Sequence, residues 1–262
     1  MKVVILCGGK GTRLREETDV KPKPMIEIGG RPIVWHIMQR YAKYGYKDFI
    51  LALGYKAEVA KEYFYNYQMR NSDFTVNLHS GEVCGHGNTP GAPFEDWNVT
   101  LCDTGVETLK GGRIKRIAKY IDTDRFMVTY GDGVSDIDLD TLVQFHEKSG
   151  KMGTFTGVRM PSRFGTVKTD EQGNIISWQE KPLLDEFINC GFFVFKREFL
   201  DYLSEDESCD LEKQPLERLA AEGQLSMYQH NGFWQCMDNK REKDLLEKLL
   251  KNGKAPWKKW ED

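Results

Sequence analysis

A glycine-rich segment that carries cations, Gly8-Gly9-Lys10-Gly11-Thr12-Arg13, follows directly after a short apolar run at 3–6. Glycines at the end of a strand let backbone amides approach a polyphosphate, and a lysine or arginine adds positive charge. The segment is not an NTPase loop, because Thr12 follows Gly11 where that loop has a lysine. Leu14 also stands where the dinucleotide fingerprint has its third glycine. The spacing therefore indicates a phosphate-binding loop of another kind.

An ordinary strand-to-helix turn would also explain these glycines. It does not explain the cations that follow, because Lys21 and Lys23 lie in a Lys-Pro-Lys-Pro segment whose prolines hold the backbone extended. Together with Arg13, these lysines favour binding of phosphate groups over a plain turn.

Several segments, taken in order, resemble a known family. The signature of sugar-1-phosphate nucleotidyltransferases is similar to Gly8-Gly9-Lys10-Gly11-Thr12-Arg13, Lys21-Pro22-Lys23-Pro24-Met25 and Gly29-Gly30-Arg31-Pro32-Ile33. The cytidylyl branch of that family is similar to the later segments at 97–105, 111–113, 130–133, 189–193 and 253–257. The resemblance runs from residue 1 to residue 260, so it covers almost the whole chain.

The resemblance implies a reaction between CTP and α-D-glucose 1-phosphate that gives CDP-glucose and pyrophosphate. The attacking phosphate oxygen is already ionised, so this chemistry needs no strong general base. It needs two anions to be held together and their charge to be neutralised, so positioning and electrostatics should supply most of the rate.

The resemblance also implies roles for particular residues. Arg13 would bind the leaving pyrophosphate, since its planar fork matches phosphate oxygens, and Lys23, rather than Lys21, would lie at the α-phosphate. The implied nucleotide-binding residues are Leu6, Cys7, Gly8, Gly9, Lys10, Gly11, Thr12, Thr108, Arg113 and Gly131. The implied sugar-phosphate-binding residues are Lys181, Glu180, Asn189 and Gly191.

Asp132 and Asp238 are the implied metal ligands. Asp132 follows the predicted strand at 126–130, where α/β sheets place ligands, and Asp238 is its partner in the family pattern. Two carboxylates with phosphate oxygens and water suit Mg²⁺. Taken singly, Asp132 could be part of a Gly-Asp-Gly turn and Asp238 the N-cap of the last helix; in a chain with the phosphate loop, the metal site is the better interpretation.

Other functions stay open on the residues alone. The same mechanism could use UTP or dTTP, or another phosphorylated acceptor, because base choice depends on a few hydrogen bonds. Asp136-Ile137-Asp138 spells the D-x-D motif of glycosyltransferases, although Asp136 is predicted as a helix cap. A nucleotide-sugar sensor that has lost turnover is a further alternative, and the presence of Arg13, Lys23 and Asp132 argues against it.

Composition excludes several classes of protein. The chain has 262 residues and a formal net charge of −3, with no electrostatic footprint for nucleic acid. No apolar run approaches the ~18 residues of a membrane span, and no signal peptide is recognisable. The six cysteines are scattered without a C-x-x-C pair, which predicts reduced thiols in a cytoplasmic protein.

Alternating apolar periods predict an α/β fold, Rossmann-like, with a mostly parallel mixed sheet, helices on both faces and a small inserted β-hairpin subdomain near 166–178. One domain is expected, with a nucleotide-binding half at 1–150, a sugar-phosphate-binding half at 151–238, and a C-terminal helix and tail at 239–262. The predicted strands are 3–6, 49–53, 74–78, 98–102, 126–130, 192–195 and 225–229. The predicted helices are 32–44, 56–68, 137–148, 215–222 and 239–251, with one more after Gly111-Gly112. The segment 80–97 is predicted to be a long loop that forms a flap or a partner surface.

Two tail residues, Trp257 and Trp260, would be unusual if fully exposed. They are expected to pack against a neighbouring subunit, because the family forms homo-oligomers, with a hexamer suggested by resemblance. Trp35 and His36 lie on an apolar helix stripe, which favours a core or interface position over catalysis. The chain departs from the family pattern at Cys7, where alanine is usual, and at Asn239, where threonine is usual.

Overall fold

The computed structural model describes residues 1–88, 95–162 and 164–260. The strands are β1 (Lys2–Cys7), β2 (Glu27–Ile28), β3 (Arg31–Pro32), β4 (Asp48–Leu53), β5 (Ser72–Val76), β6 (Val83–Asn88), β7 (Asn98–Asp103), β8 (Arg125–Tyr130), β9 (Gly133–Ser135), β10 (Gly153–Pro161), β11 (Thr166–Thr169), β12 (Ile175–Gln179), β13 (Leu183–Asn189), β14 (Phe193–Lys196), β15 (Leu225–His230) and β16 (Trp234–Cys236). The α-helices are α1 (Arg15–Thr18), α2 (Ile33–Ala42), α3 (Ala57–Tyr65), α4 (Tyr67–Arg70), α5 (Lys110–Arg116), α6 (Leu139–Ser149), α7 (Gln214–Ala221) and α8 (Lys240–Lys251).

The central sheet has the strand order β13-β10-β14-β8-β1-β4-β7, with β15 paired to β10. Strands β1, β4, β7 and β8 run parallel, while β14 is antiparallel to both of its neighbours. Helices lie between successive parallel strands, as crossover connections require. This arrangement confirms the predicted α/β class with a mostly parallel mixed sheet.

Both faces of the sheet are buried, and β1 shows why its residues are apolar in an unbroken run. Alternate side chains of a strand point to opposite faces. Val3 and Ile5 join one core cluster, whereas Val4 and Leu6 join the other. A strand covered on both faces therefore needs apolar residues at every position, as in other parallel sheets.

The hairpin β11–β12 forms a two-stranded sheet of its own instead of joining the central sheet. Its residues are mostly exposed, including the large side chains of Ile175, Ile176 and Trp178. Two strands of the central sheet, β10 and β13, were not predicted. Strand β10 carries glycines and threonines in place of an apolar run, so it lacks the usual strand pattern.

Several predicted boundaries were wrong in informative ways. Helix α6 is capped by Asp138, whose Oδ1 accepts from Thr141 N at 2.8 Å, and not by Asp136. The predicted helix at 56–68 is two helices, α3 and α4, which meet at Asn66. Helix α5 contains the Gly111-Gly112 pair instead of following it. The predicted loop at 80–97 contains β6, and its residues 89–94 lie outside the described residues.

The expectation that Trp257 packs against another subunit was wrong. Its side chain is fully buried within its own chain, stacked at 5.5 Å on Phe233 and 6.4 Å from the ring of His36. Trp260 contacts the same region, with its ring 5.9 Å from that of Trp35. The tail therefore packs into the same core cluster as Val3 and Ile5 of its own chain. The apolar helix stripe that carries His36 faces this core.

Among the residues that the structure describes, no helix is both long and apolar enough to cross a membrane. The predicted division into a nucleotide-binding half and a sugar-phosphate-binding half remains a prediction.

Candidate active site

The phosphate loop begins where β1 ends and turns sharply back over the sheet. Gly8 is packed so closely that an added Cβ would lie 2.0 Å from a guanidinium nitrogen of Arg113. Gly11 has a φ of +62°, a conformation that strongly favours glycine. Residues with side chains could not take either position without displacing the loop, so these two glycines are required by its path.

Lys23 and two carboxylates converge at the centre of the site. The Nζ atom of Lys23 lies 2.7 Å from Asp132 Oδ2 and also contacts Asp238 Oδ1. Arg13 Nη1 lies 2.6 Å from the other oxygen of Asp238. The four charged groups predicted for phosphate and metal binding thus form one chain of ion pairs, Arg13–Asp238–Lys23–Asp132, although they come from four separate segments of the sequence.

Different elements fix each of these groups. Lys23 starts a 3₁₀ turn that is preceded by Pro22 and packed under the loop, and its side chain is only 10% exposed. Asp132 follows β8, and its carbonyl accepts from Met237 N at 2.8 Å, which ties it to the segment leading to Asp238. The antiparallel pairing of β9 with β16 brings these two segments together.

Asn239 explains why Asp238 is available. Asn239 is the N-cap of α8, with its Oδ1 accepting from Glu242 N at 3.1 Å. Glu242 in turn accepts from Asp238 N at 2.6 Å, so a side chain of the first helical turn also holds the residue that precedes the cap. The alternative in which Asp238 is itself the cap is therefore wrong, and its carboxylate is directed to Lys23 and Arg13.

The protonation of Lys23 is controlled by two opposing effects. Burial lowers the pKa of this ammonium group, while the charges and hydrogen bonds of Asp132 and Asp238 raise it, and the net pKa is raised above its ordinary value. Lys23 therefore stays positively charged near neutrality, as a phosphate-binding group must.

Arg113, predicted to contact the nucleotide, has its guanidinium occupied by the protein. It donates to the carbonyl oxygens of Leu53, Gly105, Gly8 and Val106 and to Thr104 Oγ1, at 2.7–3.2 Å. Thr108 is likewise buried, with its Oγ1 accepting from Arg116 at 2.8 Å. Arg113 binds three loop segments to one another, so its clearest contribution is to the shape of the cavity wall.

A cavity of about 540 Å³ holds most of the predicted site. It is lined by these predicted residues: Leu6, Cys7, Gly8, Gly9, Gly11, Thr12, Arg13, Lys23, Thr108, Arg113, Gly131, Asp132, Asn189 and Asp238. A larger cavity of about 650 Å³ lies beside α3 and β7, but it is lined mainly by apolar side chains such as Phe64, Tyr67 and Trp97. The smaller cavity is the better candidate for an active site, because the phosphate loop and the convergent charges open into it.

The structure does not bring Glu180 and Lys181 to this cavity. Their side chains are 65% and 60% exposed and approach each other only to 3.8 Å. Lys181 has a φ of +47°, which is unusual for a residue with a side chain. Lys10 is also turned away from the cavity, 2.6 Å from Glu107. Gly191, with a φ of +85°, lies behind the ring of Tyr130.

Among the cavity-lining residues that the sequence analysis missed, three form one polar group. Tyr130 donates to Glu212 Oε1 at 2.6 Å and accepts from Asn189 at 3.0 Å, and Lys110 lies 2.6 Å from Glu212 Oε2. The position of Tyr130 at the end of a predicted strand next to Asp132 was a usable signal. Glu212 and Lys110 had none, because only the folded chain brings the loop before α7 against α5.

Two other groups of acidic residues lie outside the charged centre around Lys23. Asp136 Oδ1 accepts from Phe233 N at 2.7 Å, and Asp138 caps α6, so the D-x-D motif is used in the structure of the fold. This makes the glycosyltransferase interpretation wrong as far as it depended on that motif. Within the described residues, Cys236, Asp238 and Glu242 are also close enough to hold one ion, but a thiol is a softer ligand than Mg²⁺ prefers.

Comparisons with known proteins show the family of this chain. The family model for nucleotidyl transferases matches residues 2–262. The chain is 49% identical to the glucose-1-phosphate cytidylyltransferase of Salmonella typhi over the whole of both chains. It is 45% identical to a Bacillus subtilis protein named as a probable glucose-1-phosphate cytidylyltransferase, over 99% of this chain and all of that protein. The chain therefore belongs to the nucleotidyl transferase family.

The fold agrees as well. The solved structure of HddC from Yersinia pseudotuberculosis matches with a TM-score of 0.66 at 21% identity, and the match covers 95% of this chain and 99% of that one. At this identity the likeness shows a shared fold, which is the one predicted from the sequence.

Proposed function

We propose that this protein transfers a cytidylyl group from CTP to α-D-glucose 1-phosphate, giving CDP-glucose and pyrophosphate. One observation carries the proposal: Arg13, Lys23, Asp132 and Asp238 converge beside the glycine-rich loop in a single cavity. The cytidylyl donor and the glucose 1-phosphate acceptor are supported by the 49% full-length identity to a protein named for that reaction.

The transfer is a substitution at phosphorus. An oxygen of the sugar phosphate attacks the α-phosphorus and forms a new P–O bond, while the bond to the bridging oxygen breaks and pyrophosphate leaves with its electron pair. No proton has to be removed from the nucleophile. The protein therefore acts by holding and neutralising anions, with Lys23 at the α-phosphate and Arg13 at the leaving pyrophosphate.

The carboxylates fit a divalent cation. Asp132 and Asp238 place oxygens so close together that one ammonium nitrogen contacts both, so these two residues would hold the cation. With phosphate oxygens and water they would supply the hard oxygen donors that Mg²⁺ prefers. We propose that they hold Mg²⁺, which when bound neutralises phosphate charge.

The charges of this site also indicate which ligand must bind together with the cation. Two carboxylates are balanced by Lys23 and Arg13, so a divalent cation alone adds uncompensated positive charge near a buried ammonium. Nucleotide phosphates supply the missing negative charge and attract both side chains. Cation and nucleotide are therefore expected to enter together.

Pyrophosphate release tests the proposal. The protein is incubated with glucose 1-phosphate and Mg²⁺, separately with CTP, UTP, dTTP, ATP and GTP, and with EDTA as a control. Turnover with CTP, lost in EDTA and in Asp132→Asn, is expected. The matched control is Asp96→Asn, whose side chain is almost fully exposed and remote from the cavity. Turnover with UTP or dTTP alone would keep the mechanism and contradict the choice of base.

The exposed hairpin region supports a proposed homo-oligomer, with a hexamer as the expected form. The apolar side chains of this region at Phe164, Ile175, Ile176, Trp178 and Leu183 are all more than half exposed, and several large exposed apolar side chains near one another in sequence are typical of interaction sites. Light scattering on the wild type and on Trp178→Ser measures the assembly; a wild-type monomer would contradict it.

A cytoplasmic location is also proposed, supported by six free cysteines.

A further inference from the structure

Among the described residues, two ion pairs join the phosphate loop and the helix that follows it to the start of α8. The first is the contact of Arg13 with Asp238, whose atoms lie 2.6 Å apart. The second lies four residues further along the chain, where Glu17 Oε1 of α1 is 2.5 Å from Lys243 Nζ of α8. The proposed chemistry uses the residues of the first pair and leaves the second without a role.

Glu17 is coupled to the phosphate loop, because α1 is bonded back onto it. The hydroxyl of Thr18 donates to the carbonyl oxygens of Gly11 at 3.2 Å and Leu14 at 3.1 Å. The amide of Leu14 also donates to Gly11 O at 3.0 Å. The position of the Glu17 side chain is therefore linked to the segment that carries Arg13.

Lys243 is coupled to Asp238 in a similar way. Its amide donates to the carbonyl of Asn239, the N-cap of α8, at 3.1 Å. Glu242, the residue before it, accepts from Asp238 N at 2.6 Å. The first turn of α8 therefore links the ammonium group of Lys243 to the backbone that carries the Asp238 carboxylate.

The surroundings of this second ion pair are unlike those of an ordinary surface pair. The side chains of Lys243 and Glu17 are only 20% and 27% exposed. The other ion pair of the loop, between Lys10 and Glu107, is 48% and 66% exposed. Water and salt screen a partly buried pair less than an exposed one, so the contact of Glu17 with Lys243 can hold its two segments together more firmly.

Substrate binding should replace the first ion pair and leave the second in place. In the proposed function, on which this inference rests, Arg13 binds the leaving pyrophosphate and Asp238 binds the cation, so the two side chains release each other. Glu17 and Lys243 do not line the cavity, so the phosphates and the cation do not compete for their charges. Their ion pair therefore remains as a side-chain link between the loop segment and α8 during the reaction.

We propose that Glu17 and Lys243 are positioning residues for the transfer reaction. Their ion pair keeps Arg13 and Asp238 at the separation that places a pyrophosphate and a cation side by side, after those two side chains have released each other. Because both of these ligands belong to the nucleotide end of the reaction, the pair acts on CTP and pyrophosphate and leaves the binding of glucose 1-phosphate unchanged.

A set of charge variants tests this assignment. The proteins are the wild type, Glu17→Gln, Lys243→Met, the double variant with both changes, and a charge-swapped variant with Glu17→Lys and Lys243→Glu. The matched control is Lys47→Met, because Lys47 also joins two segments through an ion pair, with Asp96 at 3.5 Å, but on the exposed surface. Initial rates give kcat and KM for CTP and glucose 1-phosphate, and for pyrophosphate in the reverse direction with CDP-glucose.

The expected kinetic result is selective. Glu17→Gln and Lys243→Met should each lower kcat/KM for CTP and for pyrophosphate by about 10-fold to 100-fold, the loss that a small displacement of a reacting group causes. The KM for glucose 1-phosphate should not change. The double variant should lose no more than the worse single variant, because both changes remove the same interaction. The charge-swapped variant should recover most of the loss, and Lys47→Met should match the wild type.

Limited proteolysis measures the same link without nucleotide or turnover. Arg13 is 73% exposed, so trypsin can cleave after it once the loop segment opens locally. This cleavage should be about 3-fold to 10-fold faster in Glu17→Gln and Lys243→Met than in the wild type, and unchanged in Lys47→Met. Glutamine keeps the shape of the Glu17 side chain, so Glu17→Gln remains a valid test if Lys243→Met does not fold.

Several outcomes would overturn the proposal. These are losses that multiply in the double variant, an equal rise in the KM for glucose 1-phosphate, or no recovery in the charge-swapped variant. Unchanged cleavage after Arg13 in both single variants would overturn it without any activity assay. A wild type that turns over no CTP would instead defeat the proposed function, and the proteolysis would then decide alone whether the ion pair holds the loop segment to α8.

Discussion

The two lysines predicted to bind phosphate on opposite sides of the reaction lie in very different surroundings. Lys23 is buried under the phosphate loop and contacts two carboxylates. Lys181 is 60% exposed on the hairpin region, and its Nζ lies 3.8 Å from Glu180 Oε1. The fold therefore fixes the charge predicted for the nucleotide side by burial and ion pairs, whereas the charge predicted for the acceptor side is exposed to solvent.

This contrast has a physical cause. Charges in a partly buried cluster interact through a low effective dielectric, and their packing removes most of their rotamers. An exposed ion pair is screened by water and salt and contributes about 0–1 kcal/mol. Preorganisation near Lys23 can thus lower a barrier, whereas Lys181 must be ordered by whatever binds next to it.

The largest expected effect is on turnover when Lys23 is replaced. Lys23→Met should lower kcat by about 100-fold to 1000-fold, the usual loss when one preorganised electrostatic group is removed. Lys21→Met is the matched control, because Lys21 pairs with Glu27 at 3.2 Å outside the cavity, and it should stay within about 3-fold of the wild type by initial-rate assay. Equal losses of kcat in the two variants would show that the buried contacts of Lys23 give it no special role in turnover.

A second prediction concerns cation binding without nucleotide. Removing the ammonium group of Lys23 leaves Asp132 and Asp238 with less compensating charge, so Lys23→Met should bind Mn²⁺ about 10-fold more tightly than the wild type. Titration followed by electron paramagnetic resonance measures this directly, independently of turnover. Lys21→Met should bind like the wild type. Unchanged affinity in Lys23→Met would show that Lys23 does not compete with a cation.

On the acceptor side, a smaller and more selective effect is expected. Lys181→Met should raise the KM for glucose 1-phosphate by about 5-fold to 10-fold through loss of one charged contact, with the KM for CTP unchanged. Steady-state kinetics with each substrate varied in turn measures both. A rise in the KM for CTP, or a loss of kcat as large as that expected for Lys23→Met, would contradict the assignment of Lys181 to the acceptor.

The last prediction concerns stability and not the site, and it is a pH dependence that arises at His36 in the core. Burial lowers the pKa of His36 to about 4, and its Nε2 already contacts the carbonyl of Ile28 at 2.8 Å. Between pH 6.5 and 4 the unfolded chain binds more protons than the folded one, so stability falls as pH decreases. From pH 7.5 to 5.0 this residue should contribute a loss of about 2 kcal/mol, or about 5 °C in Tm.

Scanning calorimetry of the wild type and His36→Gln at both pH values checks this assignment. Glutamine can keep the hydrogen bond to Ile28 and does not titrate, so the fall in Tm should be smaller in the variant. A fall of the same size in both proteins would place the acid sensitivity elsewhere, for example at His146, whose pKa burial also lowers to about 4.

The sequence was most informative where one local pattern determined the outcome. Apolar runs predicted β1, β4 and β8, and the rule that ligands lie at the carboxyl ends of parallel strands placed Asp132 correctly beside the phosphate loop. The loop itself could be recognised because glycines and cations follow a strand directly. These features depend on neighbours in sequence, so they are visible without the fold.

Features that depend on distant parts of the chain could not be predicted in the same way. Thr154 and Thr156 of β10 are buried because they bond to His146 and to the carbonyl of Phe192, partners that composition does not reveal. Glu212 reaches Tyr130 only through the packing of its loop on α5. Trp257 was assigned to a subunit interface, because an aromatic residue in a charged tail gives no sign of which surface it covers.

The burial of Trp257 has a consequence for how the protein is made. Trp257 packs against the cluster around His36 and Phe233, and Asp238 completes the charged centre around Lys23. Both residues leave the ribosome long after the first half of the sheet has been synthesised. A nascent chain therefore carries an open core and an incomplete site, so maturation to an active enzyme occurs only after nearly all of its residues have been translated.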